Sequence, residues 1–186
     1  MSKEKKIRKR RIKYSEKVHK MAPHIAKARS AASEDAYAEG KKGYRENEEE
    51  ISEQGVTAEL IARDFYKKEV KDGVVTFTPM VDFEPIAGPD GAFGDCQFDV
   101  KSVADSNYVN QRLFINKDAF HNENKKVDAY VYFKSDKSSC VDGVCEGIQY
   151  IVSATHISQW EEGHNSKNGS SYYYIDSTDE NTEEIE

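Results

Sequence analysis

A short stretch near the middle of the chain joins a glycine-rich loop to a segment that places its charges on one side. Residues 89–95 read Pro-Asp-Gly-Ala-Phe-Gly-Asp, and the residues that follow alternate apolar and polar as far as Lys101. Successive side chains of a β-strand point to opposite faces of the sheet. One face would carry Asp95, Gln97, Asp99 and Lys101, and the other Cys96, Phe98 and Val100. The pattern therefore predicts a strand with an apolar face suited to a core and a charged face.

The charged face offers the groups that phosphodiester hydrolysis requires. Mg²⁺ binds one or two carboxylates in proteins and fills its other positions with water and substrate oxygens. The bound ion lowers the pKa of the attacking water and offsets phosphate charge. Asp99 and one upstream aspartate are expected to hold Mg²⁺, for which Mn²⁺ can substitute. Lys101 is expected to position the nucleophile or to stabilise the charge that develops on the phosphate.

The pair Pro89-Asp90, followed by the triplet Asp99-Val100-Lys101, resembles the motif of the PD-(D/E)xK nuclease superfamily. The resemblance covers roughly residues 50 to 160 and implies a restriction-endonuclease-like α/β fold with a mixed central sheet flanked by helices. It also implies a metal-dependent endonuclease that hydrolyses DNA, similar to small nucleases of bacteriophages. The first metal ligand is open at this point: Asp90 has the more usual spacing, while Asp95 and Asp82 are alternatives.

A helix before the first strand supplies one further candidate. Residues 57–68 gather apolar side chains into one arc, with Thr57 as a plausible N-cap. Glu59 lies at the rim of that arc, and the resemblance implies that a carboxylate in this place assists catalysis. The alternative is a first-turn glutamate that the helix dipole stabilises.

Charge is distributed unevenly along the chain. Residues 1–29 contain 12 Lys or Arg and 2 Glu, a net +10, so the total of −7 leaves −17 for the remainder. The apolar residues of this segment are too sparse to require a buried face, and its positive charge predicts a basic arm that attracts DNA phosphates. The alternatives are a nuclear-type or RNA-binding basic patch and a solvated basic helix. The candidate DNA-binding residues are Arg8, Lys9, Arg10, Arg11 and Lys13 in the arm, with Ser102 and Arg112 after the triplet.

The predicted organisation has three parts. Residues 1–50 form the basic arm and an acidic helical segment, and residues 51–176 form the nuclease domain. The exposed helix of residues 30–54 is expected to end before Gly55 and so to cross this boundary. Residues 176–186 contain six acidic residues and no basic one, so a disordered acidic tail is expected over residues 177–186. The strands predicted in the domain, besides the charged one, are residues 74–81, 127–133, 147–154 and 171–176, the last at a sheet edge.

Hydropathy and cysteine content predict the cellular compartment of the protein. No apolar run approaches the roughly 20 residues that span a bilayer, so we expect no membrane partner and a cytoplasmic protein, in the host cytoplasm if a phage encodes it. Three cysteines without a secretory signal predict reduced thiols, and Cys140 and Cys145 flank an Asp-Gly turn. A zinc site with His156 or His164 is the alternative. The alternative function is a catalytically inactive, nuclease-like DNA-binding or accessory protein that acts through its basic arm. A nuclease that cuts both strands often works as a dimer, so a homodimer is a further expectation.

Overall fold

The computed structural model describes residues 7–37, 48–81, 88–103, 112–167 and 169–186. Seven of its strands form one mixed sheet, and three form a second, smaller sheet. The larger sheet contains, in spatial order, β10 (Thr182–Glu184), β1 (Ile7–Ser15), β7 (Val144–Ser153), β6 (Ala129–Ser135), β4 (Cys96–Ser102), β3 (Gly91–Phe93) and β2 (Val75–Phe77). Two neighbours, β4–β6 and β1–β10, are parallel, and the other pairs are antiparallel.

Helices cover one face of the larger sheet. The helices of the described residues are α1 (Lys17–Tyr37), α2 (Glu48–Phe65), α3 (Lys67–Lys71), α4 (Lys117–His121) and α5 (Ala154–Ile157). Helices α1 and α2 pack against each other, and α2 packs on β1, β4 and β6. Their apolar side chains meet Phe98, Val100, Val131 and Phe133 in one core cluster. The result is a mixed α/β protein whose large sheet is flanked by helices.

The smaller sheet and α4 cover the other face. Its order is β5 (Arg112–Asn116), β9 (Ser171–Asp176) and β8 (Glu161–His164). Leu113 and Ile115 of this sheet join Tyr130, Tyr132 and Tyr150 of the larger sheet in a second core cluster. Asp99 and Lys101 alternate with Phe98 and Val100 along β4, so they face this second side. The charged face of β4 therefore points between the two sheets.

The N-terminal segment corrects the prediction of a separate basic arm. Residues 7–15 form a strand inside the larger sheet, paired with β7 along its whole length. Ile7, Ile12 and Tyr14 are buried, and α1 continues the fold directly. The prediction failed because the buried apolar residues of β1 are separated by cations that lie at exposed or half-buried positions of the strand.

Two further boundaries differ from the sequence predictions. Helix α2 runs through Gly55 from Glu48 to Phe65, where two separate helices were expected, and Thr57 lies inside it. The C-terminal residues are not a free tail, since β10 pairs with β1 and Thr182 is buried. The backbone N–H of Ile7 donates to the Asn181 carbonyl oxygen at 3.2 Å, which fixes the end of the chain to β1.

Candidate functional site

A β-hairpin brings Asp90 to Asp99. Strand β3 pairs with the first half of β4, with Gly91 opposite Phe98, so the residue before β3 lies beside the second half of β4. The N–H of Asp90 donates to the Phe98 carbonyl oxygen at 3.0 Å. Its Oδ2 atom accepts a hydrogen bond from the N–H of Val100 at 2.7 Å. Asp90 thus occupies the place that a continued β3 would take, and its carboxyl group meets that of Asp99.

The two carboxyl groups interact strongly. The pKa of Asp90 is raised from 3.8 to about 8, first by burial and then, in decreasing order, by a hydrogen bond to Asp99, the Asp99 charge and the Glu59 charge. The Val100 N–H opposes this shift by favouring the ionised form. The raised pKa favours the protonated form of Asp90 at neutral pH, and this form donates a hydrogen bond to Asp99.

Lys101 brings a positive charge to this pair. Its Nζ atom forms an ion pair with Oδ2 of Asp99, on the same face of β4. On the neighbouring strand, Tyr130 stands beside Asp99 in parallel register. Burial and then the Asp99 charge raise the pKa of Tyr130 to about 12, so its hydroxyl is a neutral hydrogen-bond donor near the carboxylate.

A pocket of about 250 Å³ opens over these residues. It is lined by Gly88, Asp90, Asp99, Lys101, Ile115, Ala119, Lys125 and Tyr130. One wall comes from the larger sheet and the other from β5 and α4. The volume falls below the roughly 300–1,000 Å³ of sites that enclose drug-sized ligands. It fits a phosphate group with an ion better than a whole nucleotide.

Glu59 lies on α2, close enough for its charge to raise the pKa of Asp90. Its carboxylate oxygens form ion pairs with two arginines. Both Arg29 terminal nitrogens donate to it, at 2.8 and 2.9 Å. Arg63, one helical turn further on α2, lies 3.8 Å from Glu59 Oε2. The Asp90 charge also acts on Arg29 and Arg63. Glu59 therefore belongs to an ion cluster behind Asp90.

The two arginines also hold the segment that contacts Asp90. Arg29 Nε donates to the Met80 carbonyl oxygen at 2.7 Å, and Arg63 donates to the Thr78 carbonyl oxygen. The N–H of Thr78 in turn donates to the Asp90 carbonyl oxygen at 2.9 Å. Sequence reasoning missed both arginines. Arg63 follows Glu59 by four residues, a spacing from which a helical ion pair can be predicted. Arg29 lies 30 residues before Glu59, so no local pattern indicates that the two residues pair.

Of the two other candidates for the first metal ligand, Asp95 does not join this pair. Asp95 is exposed in the two-residue turn between β3 and β4, and four residues of strand separate it from Asp99 by roughly 13 Å. Asp82 lies outside the described residues. Among the described residues, only one set of three or more His, Cys, Asp or Glu side chains has its ligand atoms close to one another. This set consists of His19, Cys140 and Cys145. In the part of the chain that the structure describes, the acidic centre consequently has two carboxylates.

The predicted DNA-binding residues are dispersed over the fold. The side chain of Arg10 extends from β1 to the end of α2, where its guanidinium carbon lies 4.7 Å from the Phe65 ring centroid. Its Nε donates to the Gln149 side-chain oxygen at 2.5 Å. Lys9 pairs with Glu184 at 3.9 Å. The exposed cations of the strand are Arg8, Arg11 and Lys13. They form part of a folded strand instead of a mobile arm.

The two candidates after the triplet also have structural surroundings. Ser102 ends β4 and stands beside Phe133 of β6. Arg112 begins β5, forms an ion pair with Asp176 at 2.9 Å and lies 4.2 Å from the Tyr174 ring centroid. Neither residue lines the pocket over Asp90 and Asp99.

Comparisons with protein-family models, curated proteins and solved structures find no match to this chain. None of the helices in the described ranges is both long and apolar enough to cross a bilayer.

Proposed function

We propose that this protein is a metal-dependent deoxyribonuclease whose centre consists of Asp90, Asp99 and Lys101, a member of the PD-(D/E)xK nucleases with their restriction-endonuclease-like fold. The observation that carries the proposal is the hydrogen bond of Asp90 to Val100, which sets the Asp90 carboxyl beside Asp99. Lys101 follows on the same strand face and reaches the same pocket. The motif residues, nine and two positions apart, thus meet at one point.

The donor set suits a hard divalent cation. Mg²⁺ commonly takes one or two carboxylates and keeps the rest of its coordination shell for water and phosphate oxygens. The raised pKa of Asp90 means that Lys101 alone does not offset two negative charges on these half-buried carboxyl groups. Asp90 and Asp99 would hold the ion, which would release the proton of Asp90. When bound, Mg²⁺ or Mn²⁺ lowers the pKa of a coordinated water and neutralises phosphate charge.

The remaining residues of the site bind and position. Lys101 and Lys125 line the pocket from the larger sheet and from the segment after α4, so they attract a phosphate and stabilise the charge that develops on it. The cluster of Glu59, Arg29 and Arg63 fixes the backbone of Thr78 and Met80, against which Asp90 is held. We therefore assign Glu59 a positioning role, in place of the direct catalytic role that the sequence suggested.

The test is cleavage of supercoiled, linear and single-stranded DNA by the full chain with Mg²⁺ or Mn²⁺. Asp99→Asn and Lys101→Ala are expected to lower the rate by at least about 100-fold, and EDTA should abolish cleavage. Asp95→Asn is the matched control, because it removes a carboxylate from the same hairpin at an exposed turn. Equal activity of Asp99→Asn and Asp95→Asn would exclude the proposed centre.

One observation favours a second function, DNA binding without cleavage. The chain's own cations already engage two of the expected catalytic groups, since Lys101 pairs with Asp99 and Arg29 with Glu59. In that case the protein binds DNA through exposed cations such as Arg11 and Lys13 on β1. This function predicts that log K for DNA falls by about 0.9 per neutralised phosphate for each tenfold rise in salt, and such binding without metal and without cleavage would support it. The double variant Arg11→Gln/Lys13→Gln tests this surface and leaves the strand in place.

A further inference from the structure

A tight hairpin places two cysteines opposite each other at the start of β7. Asp142 and Gly143 have φ angles of 51° and 80°, the left-handed conformation that a two-residue type I′ turn requires. The turn is closed by two hydrogen bonds between Val141 and Val144, at 2.9 and 3.0 Å. Cys140 and Cys145 flank this unit and are joined as a disulfide. The structure thus represents the oxidised state of the pair.

The beginning of α1 packs against the same hairpin and brings a histidine to it. The N–H of Glu16 donates to the Gly143 carbonyl oxygen at 2.9 Å. One ring nitrogen of His19 and the sulfurs of Cys140 and Cys145 all lie within 4.8 Å of one another. The three residues come from segments about 120 positions apart, and Cys145 is buried. Nothing in the proposed nuclease centre uses them.

The histidine is held by a second layer of contacts. Its Nε2 atom shares a hydrogen bond with the Tyr14 hydroxyl at 3.0 Å. That hydroxyl accepts a hydrogen bond from the Asp136 N–H at 3.1 Å, and Tyr14 is itself buried. Metal-binding histidines are usually oriented through their other ring nitrogen in this manner. Nδ1 is then the nitrogen left to act as a ligand.

We propose that the reduced protein binds Zn²⁺ at this place, through the thiolates of Cys140 and Cys145 and the imidazole of His19. Two thiolates and one imidazole form a donor set that Zn²⁺ favours, with the fourth position left to water. The site connects α1 to the β6–β7 hairpin. It is independent of the nuclease proposal.

The redox state decides which bond the sulfurs make. A dithiol or phosphine reductant supplies two electrons, the S–S bond breaks, and two protons complete the thiols of Cys140 and Cys145. Zn²⁺ then displaces the two thiol protons as it binds. Disulfide and zinc site are mutually exclusive, because the sulfurs of the disulfide carry no thiolate charge.

The first experiment uses Co²⁺ as a spectroscopic probe. The full chain is reduced with a phosphine, freed of reductant without oxygen and titrated with Co²⁺, and Zn²⁺ is then added. We expect a thiolate-to-cobalt absorption band that saturates at a stoichiometric amount of metal and disappears when Zn²⁺ displaces the probe. The oxidised protein should give no such band. Absence of the band in reduced protein would overturn the proposal.

Variants distinguish the three-residue site from unspecific thiol binding. Cys140→Ser and Cys145→Ser should lose the band, and His19→Gln should weaken binding by more than the roughly 10- to 100-fold that loss of an outer partner causes. Cys96→Ser, which removes the exposed third cysteine, is the matched control and should bind like wild type. Circular dichroism establishes whether each variant is folded. If Cys145→Ser does not fold, Cys140→Ser still tests the site, because Cys140 is only half-buried. Unchanged affinity in His19→Gln would contradict the site.

Discussion

The Oδ2 atom of Asp90 accepts a hydrogen bond from the backbone N–H of Val100 at 2.7 Å. Strand β3 begins at Gly91, so this N–H of β4 has no backbone partner on the β3 side, and the carboxyl group replaces the missing strand residue. The same bond sets Asp90 beside Asp99. One side chain therefore provides the hydrogen-bond acceptor that the Val100 N–H needs and also brings the two aspartates together.

The pH dependence of stability tests the state of Asp90. Its pKa is raised from 3.8 to about 8, so the folded protein keeps a proton that the unfolded chain loses above pH 4. In EDTA, the free energy of unfolding should fall between about pH 4 and pH 8, by at most about 1.4 kcal/mol per pH unit from this group. Urea unfolding of wild type and Asp90→Asn across this range measures it. The variant should show a flatter profile, and identical slopes would refute the assignment.

Removing the Glu59 charge should destabilise the protein. Glu59 is buried and holds Arg29 with two hydrogen bonds, so Glu59→Gln leaves that arginine without its ionic partner. We expect a loss of about 3 kcal/mol in the free energy of unfolding. The control is Glu53→Gln, on the exposed part of the same helix, with a change below about 0.5 kcal/mol. If both variants unfold alike, the ion cluster does not support the site.

Gly91 is required by close packing next to Asp90. A Cβ atom at this position would lie 2.5 Å from Cζ of Phe98 and 2.6 Å from the Thr76 carbonyl oxygen. Gly91→Ala should therefore cost about 1–3 kcal/mol and shift Asp90, lowering cleavage. Gly55→Ala is the matched control, since its Cβ meets nothing within 4 Å on α2 and should raise stability by up to about 1 kcal/mol. Thermal melting and the cleavage assay compare the two.

The last ten residues should contribute to stability, contrary to a free tail. Truncation after Asp176 removes β10, buried Thr182 and the two hydrogen bonds that join Asn181 and Ile185 to β1. At about 1 kcal/mol for each bond, these two bonds alone account for about 2 kcal/mol, so we expect a loss of at least that size. Glu183→Gln changes tail charge at an exposed position and should have little effect. A truncated protein that melts like wild type would show that β10 does not hold β1.

Local patterns predicted much of the framework. The two-residue alternation of residues 95–101 correctly gave β4 with Phe98 and Val100 in the core, and the apolar runs gave β6 and β7. Residues 171–176 form the predicted strand β9, although it is central in the smaller sheet and not at an edge. These successes rest on alternation between faces, which is a property of consecutive residues. The position of a strand within a sheet is not such a property.

The wrong predictions arose where the local composition of a segment did not indicate that its residues are buried. Segment 7–15 carries so many cations that its buried residues Ile7, Ile12 and Tyr14 did not suggest a core strand. Gly55 suggested a helix end, but tertiary packing of α2 on the sheet continues the helix through it. In both cases long-range burial outweighed local composition.

The sequence by itself determined that Asp99 and Lys101 share one face of a strand, because strand geometry depends only on neighbours. Only the tertiary structure decided that Asp90, and not Asp95, meets Asp99, because the hairpin register selects the partner. It also placed Arg29 against Glu59 and His19 beside Cys140 and Cys145. Such pairs join distant segments through the packing of α1 on α2 and on the β6–β7 hairpin, which no local period of the sequence specifies.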